Sequence, residues 1–457
     1  MKLRREPFPN AVPKRWALGD HFIPRGRYID PDFARLELDR LFSNTWQVAC
    51  RDEDIPERGS FYEATIGDKS IVVVRQPDRS VRAVHNFCAR HSGQLVRGTG
   101  RLERFTCAPH GCFFSLDGTP LTGDSLRAES NTHLHRRELS PVCVDTWGGW
   151  IFVHLASSEP VSLREWLPLQ ISYLELFQLE DMRYRWRKQI EVAANWKVAL
   201  ETFFESFRRT LGSSTRSAPS RKARTHAYGE HVAFHTADSL LGEDGSLSTM
   251  ASTPTQVADR VERIARDLDA LYSASDLDAA HLLRSTEPPA ELPALLQFLV
   301  FAEHSAIEYG IDYPTVSIGE YITFAAGYHL FPAMVLVVEK SSALGAVVRP
   351  LGADPDASIV ELFCIEHHIP GSSRLAPLEV LEGAQDPRLG PQLSEWIQTM
   401  VSVQRRMHSP EFDAIPLHES DYATMHQHHV ADNLLFDVEV RADHFGAAGN
   451  TTQSMNN

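Results

Sequence analysis

The spacing of hydrophobic residues changes character along the 457-residue chain. Over residues 28–44 apolar side chains recur every three or four positions, and Asp30 followed by Pro31 is a typical start for a helix. From Trp46 to about Leu155 the apolar positions form short β-branched or aromatic runs separated by Asp, Gly and Pro. Such runs are typical of strands joined by turns. The pattern therefore predicts a helix followed by a small all-β unit of roughly 110 residues.

A mixed pattern begins after residue 182. The run YRWRKQIEVAANWKVAL passes from a strand into a helix whose apolar positions share one face. Residues 241–310 are less regular, and we interpret them as an insertion that shapes or covers a pocket. The remaining pattern predicts strands at 228–236, 319–327, 333–340, 344–350 and 357–366, and helices at 256–273, 290–305, 391–408 and 419–436.

Composition narrows the classes of function. The formal net charge of −15 argues against nucleic-acid binding, which needs a basic surface, although it would suit a basic redox partner. Six cysteines in a chain of this length do not make a disulfide framework. The N-terminus lacks the apolar run of a signal peptide, and no stretch is long enough to cross a bilayer. We therefore expect a cytoplasmic protein with no membrane partner.

Two short runs carry the candidate chemistry. CARH places Cys88 near His91, and CAPH places Cys107 near His110. Two thiolates with two imidazoles suit a [2Fe–2S] centre of the Rieske type, in which two histidines replace two cysteines on one iron. The same donors also hold structural zinc. The Asp117-Gly118 turn indicates a β-hairpin after the second run, which favours the cluster, because zinc fingers usually place one ligand pair on a helix.

In these motifs the chain resembles the α subunits of Rieske non-haem iron oxygenases, the aromatic-ring-hydroxylating dioxygenase family. The resemblance extends over nearly the whole chain and implies an α+β fold in three parts. Residues 1–45 would form a helix that packs on the catalytic domain, and residues 46–158 a small all-β Rieske [2Fe–2S] domain. Residues 159–457 would form a helix-grip-type catalytic domain, an antiparallel sheet with helices. The matching segments, in the family's order, include VHNFCARHSGQL, CAPHGCFFSLDGTPL, NWKVALETFFESF, YHLFPAMVLV and VQRRMHSPEF.

The resemblance also implies cofactors and partners. The [2Fe–2S] cluster would be bound by Cys88, His91, Cys107 and His110, and would take electrons from a ferredoxin or reductase. In the family a mononuclear Fe(II), held by two histidines and one carboxylate, activates dioxygen. The α subunits form trimeric or hexameric rings in which each cluster serves the iron of its neighbour, a heterologous contact that closes on itself.

The chain departs from the family at the mononuclear iron. The two histidine positions fall on Arg208 and Ser213, the carboxylate position falls on Trp396, and no histidine occurs from 155 to 225. We therefore expect no mononuclear Fe(II) in this chain. Arg208 could instead neutralise Glu205, three residues earlier on the same helix face. The alternative is a surface ion pair worth under about 1 kcal/mol.

Three further features of the sequence can be compared with the family. The family has one residue between its first Cys and His, whereas two residues separate Cys88 from His91, so either a residue is inserted or Arg90 and His91 have exchanged places. Glu205 matches the acidic residue that bridges the neighbour's cluster histidine to the iron histidine. Cys112 stands where the family usually has tryptophan, and we interpret it as a packing residue.

Other histidines form two groups, the first of which is better explained by local hydrogen bonds than by metal. One group alternates along a predicted strand, and the other lies near the last helix, where the family tends to carry surface histidines. The members are His226, His231 and His235, and His418, His426, His428 and His429.

These observations favour an α-type component that carries electrons for O2-dependent hydroxylation in a complex with a catalytically complete α subunit. One alternative is a non-catalytic scaffold or regulatory pseudo-α subunit without a functional cluster. Another is an active oxygenase that recruits unforeseen ligands, such as Glu205 with Glu395. The apolar character of residues 200–340 would suit an aromatic or steroid-like substrate, but it suits core helices equally well.

Overall fold

The computed structural model describes most of the chain. Its helices and strands form two halves, each of which is built around a sheet. The described residues are 12–88, 93–107, 112–121, 138–156, 160–212, 225–235, 253–286, 292–312, 314–324, 326–368, 371, 376–418 and 421–436. The elements of the first half are β1 (Phe22–Pro24), α1 (Gly26–Ile29), α2 (Pro31–Leu36), a π-helical turn (Glu37–Leu41), β2 (Gln47–Arg51), β3 (Ser60–Ile66), β4 (Lys69–Arg75), β5 (Val81–His85), β6 (Thr99–Arg101), β7 (Phe105–Cys107), β8 (Cys112–Phe114), β9 (Pro141–Trp147) and β10 (Trp150–His154).

The second half contains the longer helices. Its elements are α3 (Leu163–Trp166), α4 (Leu169–Ser172), β11 (Arg183–Val192), α5 (Trp196–Gly212), β12 (Thr225–Tyr228), β13 (His231–His235), α6 (Pro254–Leu268), α7 (Ala274–Ser285), α8 (Ala294–Glu308), α9 (Ile318–Phe324), β14 (Ala326–Leu330), β15 (Met334–Val338), β16 (Ser342–Pro350), β17 (Ser358–Glu366), β18 (Leu378–Leu381), α10 (Pro391–Met407), β19 (Ala414–Pro416) and α11 (Tyr422–Phe436).

The first half is a seven-stranded sheet in the order β2-β10-β9-β5-β4-β3-β6, with the separate hairpin β7–β8 beside it. Strands β9 and β10 are joined by Gly148 and Gly149, which both have positive φ. A side chain at Gly149 would place its Cβ 2.8 Å from Nη2 of Arg51. Arg51 uses that same nitrogen to donate to the carbonyls of Leu179 and Met182, at 3.0 and 2.8 Å. The tight turn therefore leaves room for an arginine that anchors the segment leading into the second half.

The second half is an eight-stranded sheet in the order β12-β13-β14-β15-β16-β17-β11-β18, in which β18 pairs with β11 in parallel. Helix α5 packs on strands β14 to β17, and α10 packs on α5. Asn195 precedes α5 and caps it, because its Oδ1 accepts a hydrogen bond from the backbone N of Lys197 at 3.0 Å. Its Nδ2 also donates to the carbonyls of Tyr28 and Pro355, both at 2.9 Å. The start of α5 is thereby fixed to the N-terminal segment.

A buried ionic cluster joins the two sheets. Arg187 on β11 donates to Glu361 at 2.7 Å, to Asp54 at 2.6 Å and to the hydroxyl of Tyr62 at 2.8 Å. Arg349 donates to Glu361 at 3.4 Å and to the carbonyl of Val48 on β2 at 2.8 Å. Burial raises the pKa of Asp54 to about 6, although the nearby charge of Arg187 opposes that shift. The cluster therefore joins the first sheet to the second through buried ion pairs, in which the loss of one partner would leave the other charge buried and uncompensated.

The α+β class with a small β domain ahead of a sheet-and-helix domain is confirmed, and some local predictions are wrong. Residues 319–327 were predicted as a strand, but most of them form α9, and β14 begins only at Ala326. Ser317 and Glu320 explain the difference, since each side chain pairs with the other's backbone N, at 3.2 and 2.9 Å, as in a capping box. The domain boundaries near 45 and 158 stay predictions, and residues 241–252 and 287–291 of the predicted insertion lie outside the described residues.

Candidate functional site

The loop that carries Cys88 is held at both of its ends by Asn86. The buried Asn86 amide donates to the carbonyl of Val96 at 2.8 Å, and its Oδ1 accepts from the backbone N of Leu95 and of Val96, both at 3.1 Å. The backbone N of Cys88 donates to the carbonyl of Gly93 at 3.0 Å. The chain therefore leaves β5 and returns through a loop whose two ends, at Cys88 and Gly93, are held together.

The second loop is the tip of the β7–β8 hairpin. Cys107 and Cys112 face each other as the last antiparallel pair of that hairpin. Cys88 and Cys107 are only 2% and 3% exposed and belong to the same apolar cluster. The structure thus brings both predicted cysteine ligands to one wall of the β domain. His91 and His110 lie outside the described residues.

This arrangement fits a [2Fe–2S] cluster. Two buried thiols from adjacent loops are the donors that one iron of a Rieske centre requires, and in the sequence a histidine follows each cysteine three residues later. The other members of the apolar cluster, among them Phe105, Phe114 and Leu116, would exclude water from the sulphur side. Cys112 is half-buried against the same cluster, in agreement with a packing role.

The position of the family's first iron histidine holds an ion pair. Nε and Nη2 of Arg208 donate to the two carboxylate oxygens of Glu205, at 2.8 and 2.9 Å. Arg209 also approaches Glu205, at 3.6 Å. The Arg208 side chain is 16% exposed and that of Glu205 is 38% exposed, so the pair lies at the edge of the protein interior. Ser213, at the second histidine position, lies outside the described residues.

The position of the family's carboxylate ligand is filled by an aromatic side chain. Trp396 on α10 is buried and packs edge-on against Phe203 and Phe207 of α5, with ring centroids 6.3 and 5.3 Å apart. Neighbouring Glu395 is exposed and accepts a hydrogen bond from Gln392 at 3.3 Å. A guanidinium and an indole donate no lone pair to Fe(II), so the described residues at these positions do not fit a mononuclear iron site.

A buried polar cluster that sequence reasoning missed lies at the other end of α5. The hydroxyl of Tyr28 lies 3.1 Å from both oxygens of Glu201 and 2.9 Å from Nε2 of His428. Nε2 of His428 lies 3.1 Å from Glu201. Arg27 donates to both oxygens of Asp432, at 2.5 and 2.7 Å. The expectation of a surface position for His428 is wrong, because α11 turns this side chain toward α5 and α1 and buries it.

The histidines on the central strands make local hydrogen bonds. Nδ1 of buried His231 accepts from the backbone N of Phe331 at 3.0 Å, and its Nε2 lies 3.0 Å from the carbonyl of Trp166. Burial lowers the pKa of His231 to about 4. Within the part of the chain that the structure describes, no three His, Cys, Asp or Glu side chains are arranged to hold a metal ion. In the same part, no helix is both long and apolar enough to cross a membrane.

Comparisons with known proteins bear on the class of domain that carries the two cysteine loops. The model of the Rieske [2Fe-2S] domain matches residues 45–133. The chloroplastic choline monooxygenase of Arabidopsis thaliana is 28% identical over 192 residues, which cover 40% of this chain and 46% of the relative. The oxygenase subunit of glycine betaine monooxygenase from Chromohalobacter salexigens is 30% identical over 192 residues, which cover 41% of this chain and 42% of the relative. In both matches the chain covers less than half of the relative's length.

Solved structures match over almost the whole chain. The quaternary ammonium Rieske monooxygenase CntA with L-carnitine has a TM-score of 0.58 at 15% identity, covering 91% of this chain and 95% of that chain. Naphthalene 1,2-dioxygenase from Rhodococcus sp. has a TM-score of 0.55 at 16% identity, and the match covers 92% of this chain and 95% of that chain. At this identity the likeness establishes the fold.

The family match identifies a Rieske [2Fe-2S] domain at residues 45–133, a range that includes both cysteine loops. The chain as a whole shares its fold with the quaternary ammonium Rieske monooxygenase CntA. The curated relatives above are named as monooxygenases of choline and glycine betaine, and not as the aromatic dioxygenases expected from the sequence.

Proposed function

We propose that this chain is an electron-carrying α-type component that works beside a catalytically complete α subunit. One contrast carries the proposal: the cysteine pair of the cluster loops is present and buried, whereas Arg208 and Trp396 stand where the family holds its mononuclear iron. A chain with this contrast retains the electron-transfer half of the family's chemistry.

In this proposal the thiolates of Cys88 and Cys107 would bind one iron of the [2Fe–2S] cluster, and His91 and His110 would bind the other. A bound cluster of this type supplies transfer of one electron at a time. The side chain of Asn86 fixes the first loop, and the β7–β8 pairing fixes the second. Both thiols are then held in position before the cluster binds, so that the site is preorganised for the cluster.

The partners follow from the same division of labour. A ferredoxin or reductase would supply electrons, and a neighbouring complete α subunit in a trimeric or hexameric ring would use them. Glu205 stands at the position that bridges subunits in the family, and here its carboxylate is bound by Arg208. We infer that Arg208 replaces the missing metal charge beside Glu205.

The names of the relatives give a first choice of substrates for such a complex. Choline and glycine betaine are named for the curated relatives, and carnitine for a structural neighbour. Quaternary ammonium compounds are therefore the substrates that we propose to test first, ahead of aromatic hydrocarbons.

The experiment begins with the metal content of the purified chain. We expect about two irons and two acid-labile sulphides per chain, with a rhombic paramagnetic resonance signal after dithionite reduction. A third iron per chain would contradict the proposal, because the chain would then hold a mononuclear site. A folded but iron-free chain would favour the scaffold alternative.

The second step measures electron transfer in the complex. The chain is purified with a complete α subunit, and turnover is compared between the Cys107→Ala and Cys143→Ala variants. Cys143 is a matched control because it lies on β9 of the same domain, outside the cluster loops. We expect Cys107→Ala alone to abolish the chain's contribution. Unchanged turnover would refute the electron-carrying role, and turnover by the isolated wild-type chain would favour an active oxygenase.

A further inference from the structure

A cavity lies between the first two turns of α5, the turn after β14, and α11. Its volume is about 20 Å³, counted over the positions that the centre of a water can take, and one water needs about 10–15 Å³ by this measure, so the cavity admits a ligand of about two non-hydrogen atoms. The walls combine apolar and polar side chains, the main ones being Trp196, Phe331, Lys197, Glu201, His329 and His428.

His329 contributes a nitrogen that needs a hydrogen-bond donor. Its Nε2 lies 3.0 Å from the carbonyl oxygen of Pro332, which can only accept, so Nε2 carries the proton. Nδ1 is then an acceptor, and it has no partner among the described residues although His329 is only 1% exposed. Burial lowers the pKa of His329 to about 3, so protonation does not satisfy this nitrogen at neutral pH. A buried acceptor of this kind is costly to leave unpaired.

Glu201 contributes a carboxyl group in a fixed orientation. Nη1 of Arg27 lies 3.3 Å from Nδ1 of His428, and since a guanidinium only donates, Nδ1 accepts and Nε2 carries the proton. His428 Nε2–H and the Tyr28 hydroxyl are therefore both donors toward Glu201, each at 3.1 Å. The carboxyl group is held from one side and borders the cavity on another.

The charges around the cavity favour a cation. Lys197 is paired with Glu37, whose two oxygens lie 2.8 Å from its Nζ. Arg27 is paired with Asp432 through both carboxylate oxygens, at 2.5 and 2.7 Å. Each of these two cations is thus matched by its own carboxylate. Burial raises the pKa of Glu201 to about 8, and a cation in the cavity would favour the ionised form of this carboxyl group.

We propose that this cavity binds a small protonated amine. Its N–H groups donate to Nδ1 of His329 and to the carboxylate of Glu201, and its alkyl carbons contact Trp196 and Phe331. A quaternary ammonium ion has the same charge but no N–H group, so it cannot satisfy His329. The site is separate from the iron position, because Glu201 precedes Arg208 by seven residues, or about 10 Å along a helix.

The test uses the full chain and two probe cations. Methylammonium and tetramethylammonium chloride are titrated into the wild-type protein by calorimetry at matched ionic strength. We expect methylammonium to bind at least about tenfold more tightly, because only methylammonium can donate to His329. This comparison needs no variant and does not depend on the cluster or on turnover. Equal binding of both cations, or no binding of methylammonium at millimolar concentration, would overturn the proposal.

Variants then locate the site. His329→Phe and Glu201→Gln are each expected to weaken methylammonium binding at least about tenfold, since the first removes the acceptor Nδ1 and the second replaces a carboxylate that can carry charge by a neutral amide. His367→Phe is the matched control. His367 is also buried, and its Nε2 contacts the carbonyl of Phe177 at 3.2 Å, but it lies outside the lining of the cavity. Circular dichroism confirms that each variant is folded. A folded His329→Phe variant with wild-type affinity, or an equal loss in His367→Phe, would refute the assignment.

Discussion

Replacing Glu201 by glutamine is expected to change how the free energy of unfolding depends on pH. Burial raises the pKa of Glu201 from an ordinary value of 4.5 to about 8, against the lowering effects of the Tyr28 hydrogen bond and the charge of Lys197. The folded protein therefore keeps a proton that the unfolded chain releases above about pH 4.5. The stability linked to this proton is complete below pH 4.5 and is lost as the pH rises through the folded pKa of about 8.

The magnitude follows from the size of the shift. Each pH unit between the two pKa values corresponds to about 1.4 kcal/mol, so wild-type stability falls by up to about 2–3 kcal/mol between pH 6 and pH 8 because of this group. The Glu201 side chain keeps 17% of its surface exposed, and solvent screening places the expected value in the lower part of that range.

The neighbouring groups decide how the measurement is made. Tyr28, Lys197, Glu37, Asp421 and His428 all face Glu201 or act on it electrostatically. Burial lowers the pKa of His428 well below 6.5, so its effect on stability has the opposite sign and acts below about pH 6.5. The difference between variant and wild type removes these shared contributions, and the interval from pH 6.5 to 8 isolates Glu201.

Urea unfolding followed by tryptophan fluorescence provides the measurement. The Glu201→Gln variant is expected to gain stability relative to wild type by about 1–2 kcal/mol as the pH is raised from 6.5 to 8. Glu191→Gln is the matched control, since Glu191 is exposed on β11, and its difference from wild type should not change with pH. A flat difference for Glu201→Gln, or one that falls with pH, would refute the reasoning.

Three other substitutions test the described packing. Arg187→Met should lower the free energy of unfolding by about 3–5 kcal/mol in urea titrations, because it leaves Glu361 buried without its main partner. Trp396→Ala should cost about 3–5 kcal/mol by the same measurement, since it opens a cavity beside Phe207, while iron content is unchanged. Asn86→Ala should lower the iron and labile sulphide bound per chain by about half or more, because the first cluster loop loses its internal hydrogen bonds.

Each of these predictions has a control on the same element or loop. Arg183→Met removes an exposed arginine from β11 and should cost under about 0.5 kcal/mol, as surface changes usually do. Trp396→Phe keeps an aromatic ring and should cost less than Trp396→Ala. Gln94→Ala changes a partly exposed residue of the first cluster loop and should leave iron content unchanged. Equal effects in a variant and its control would contradict the corresponding explanation.

The sequence predicted the features that depend on local pattern. The cysteines of the two loops, the β runs between Trp46 and Leu155, and the helices α10 and α11 all follow from periodicity and turn residues near each element. The strand prediction at 319–327 was wrong, because these residues have the apolar and aromatic content typical of a strand but mostly form a helix. The Ser317 and Glu320 spacing was a usable signal for the helix start, because it is that of a capping box.

The buried polar cluster could not be predicted from the sequence. Tyr28, Glu201 and His428 meet across separations of 173 and 227 residues, and no local pattern specifies which polar side chain of an amphipathic helix turns inward. The roles assigned to His91, His110 and Ser213 rest on the resemblance to the family and stay predictions.

The pairing of Arg27 with Asp432 has a consequence for biosynthesis. The two residues are separated by 405 positions, and β1 likewise pairs with β19, which lies near the end of the chain. At about 5–20 residues per second, the ribosome needs roughly 20–80 seconds to deliver the partner of Arg27. During that interval the N-terminal segment emerges without its final contacts, which makes it the expected site of chaperone engagement on the nascent chain.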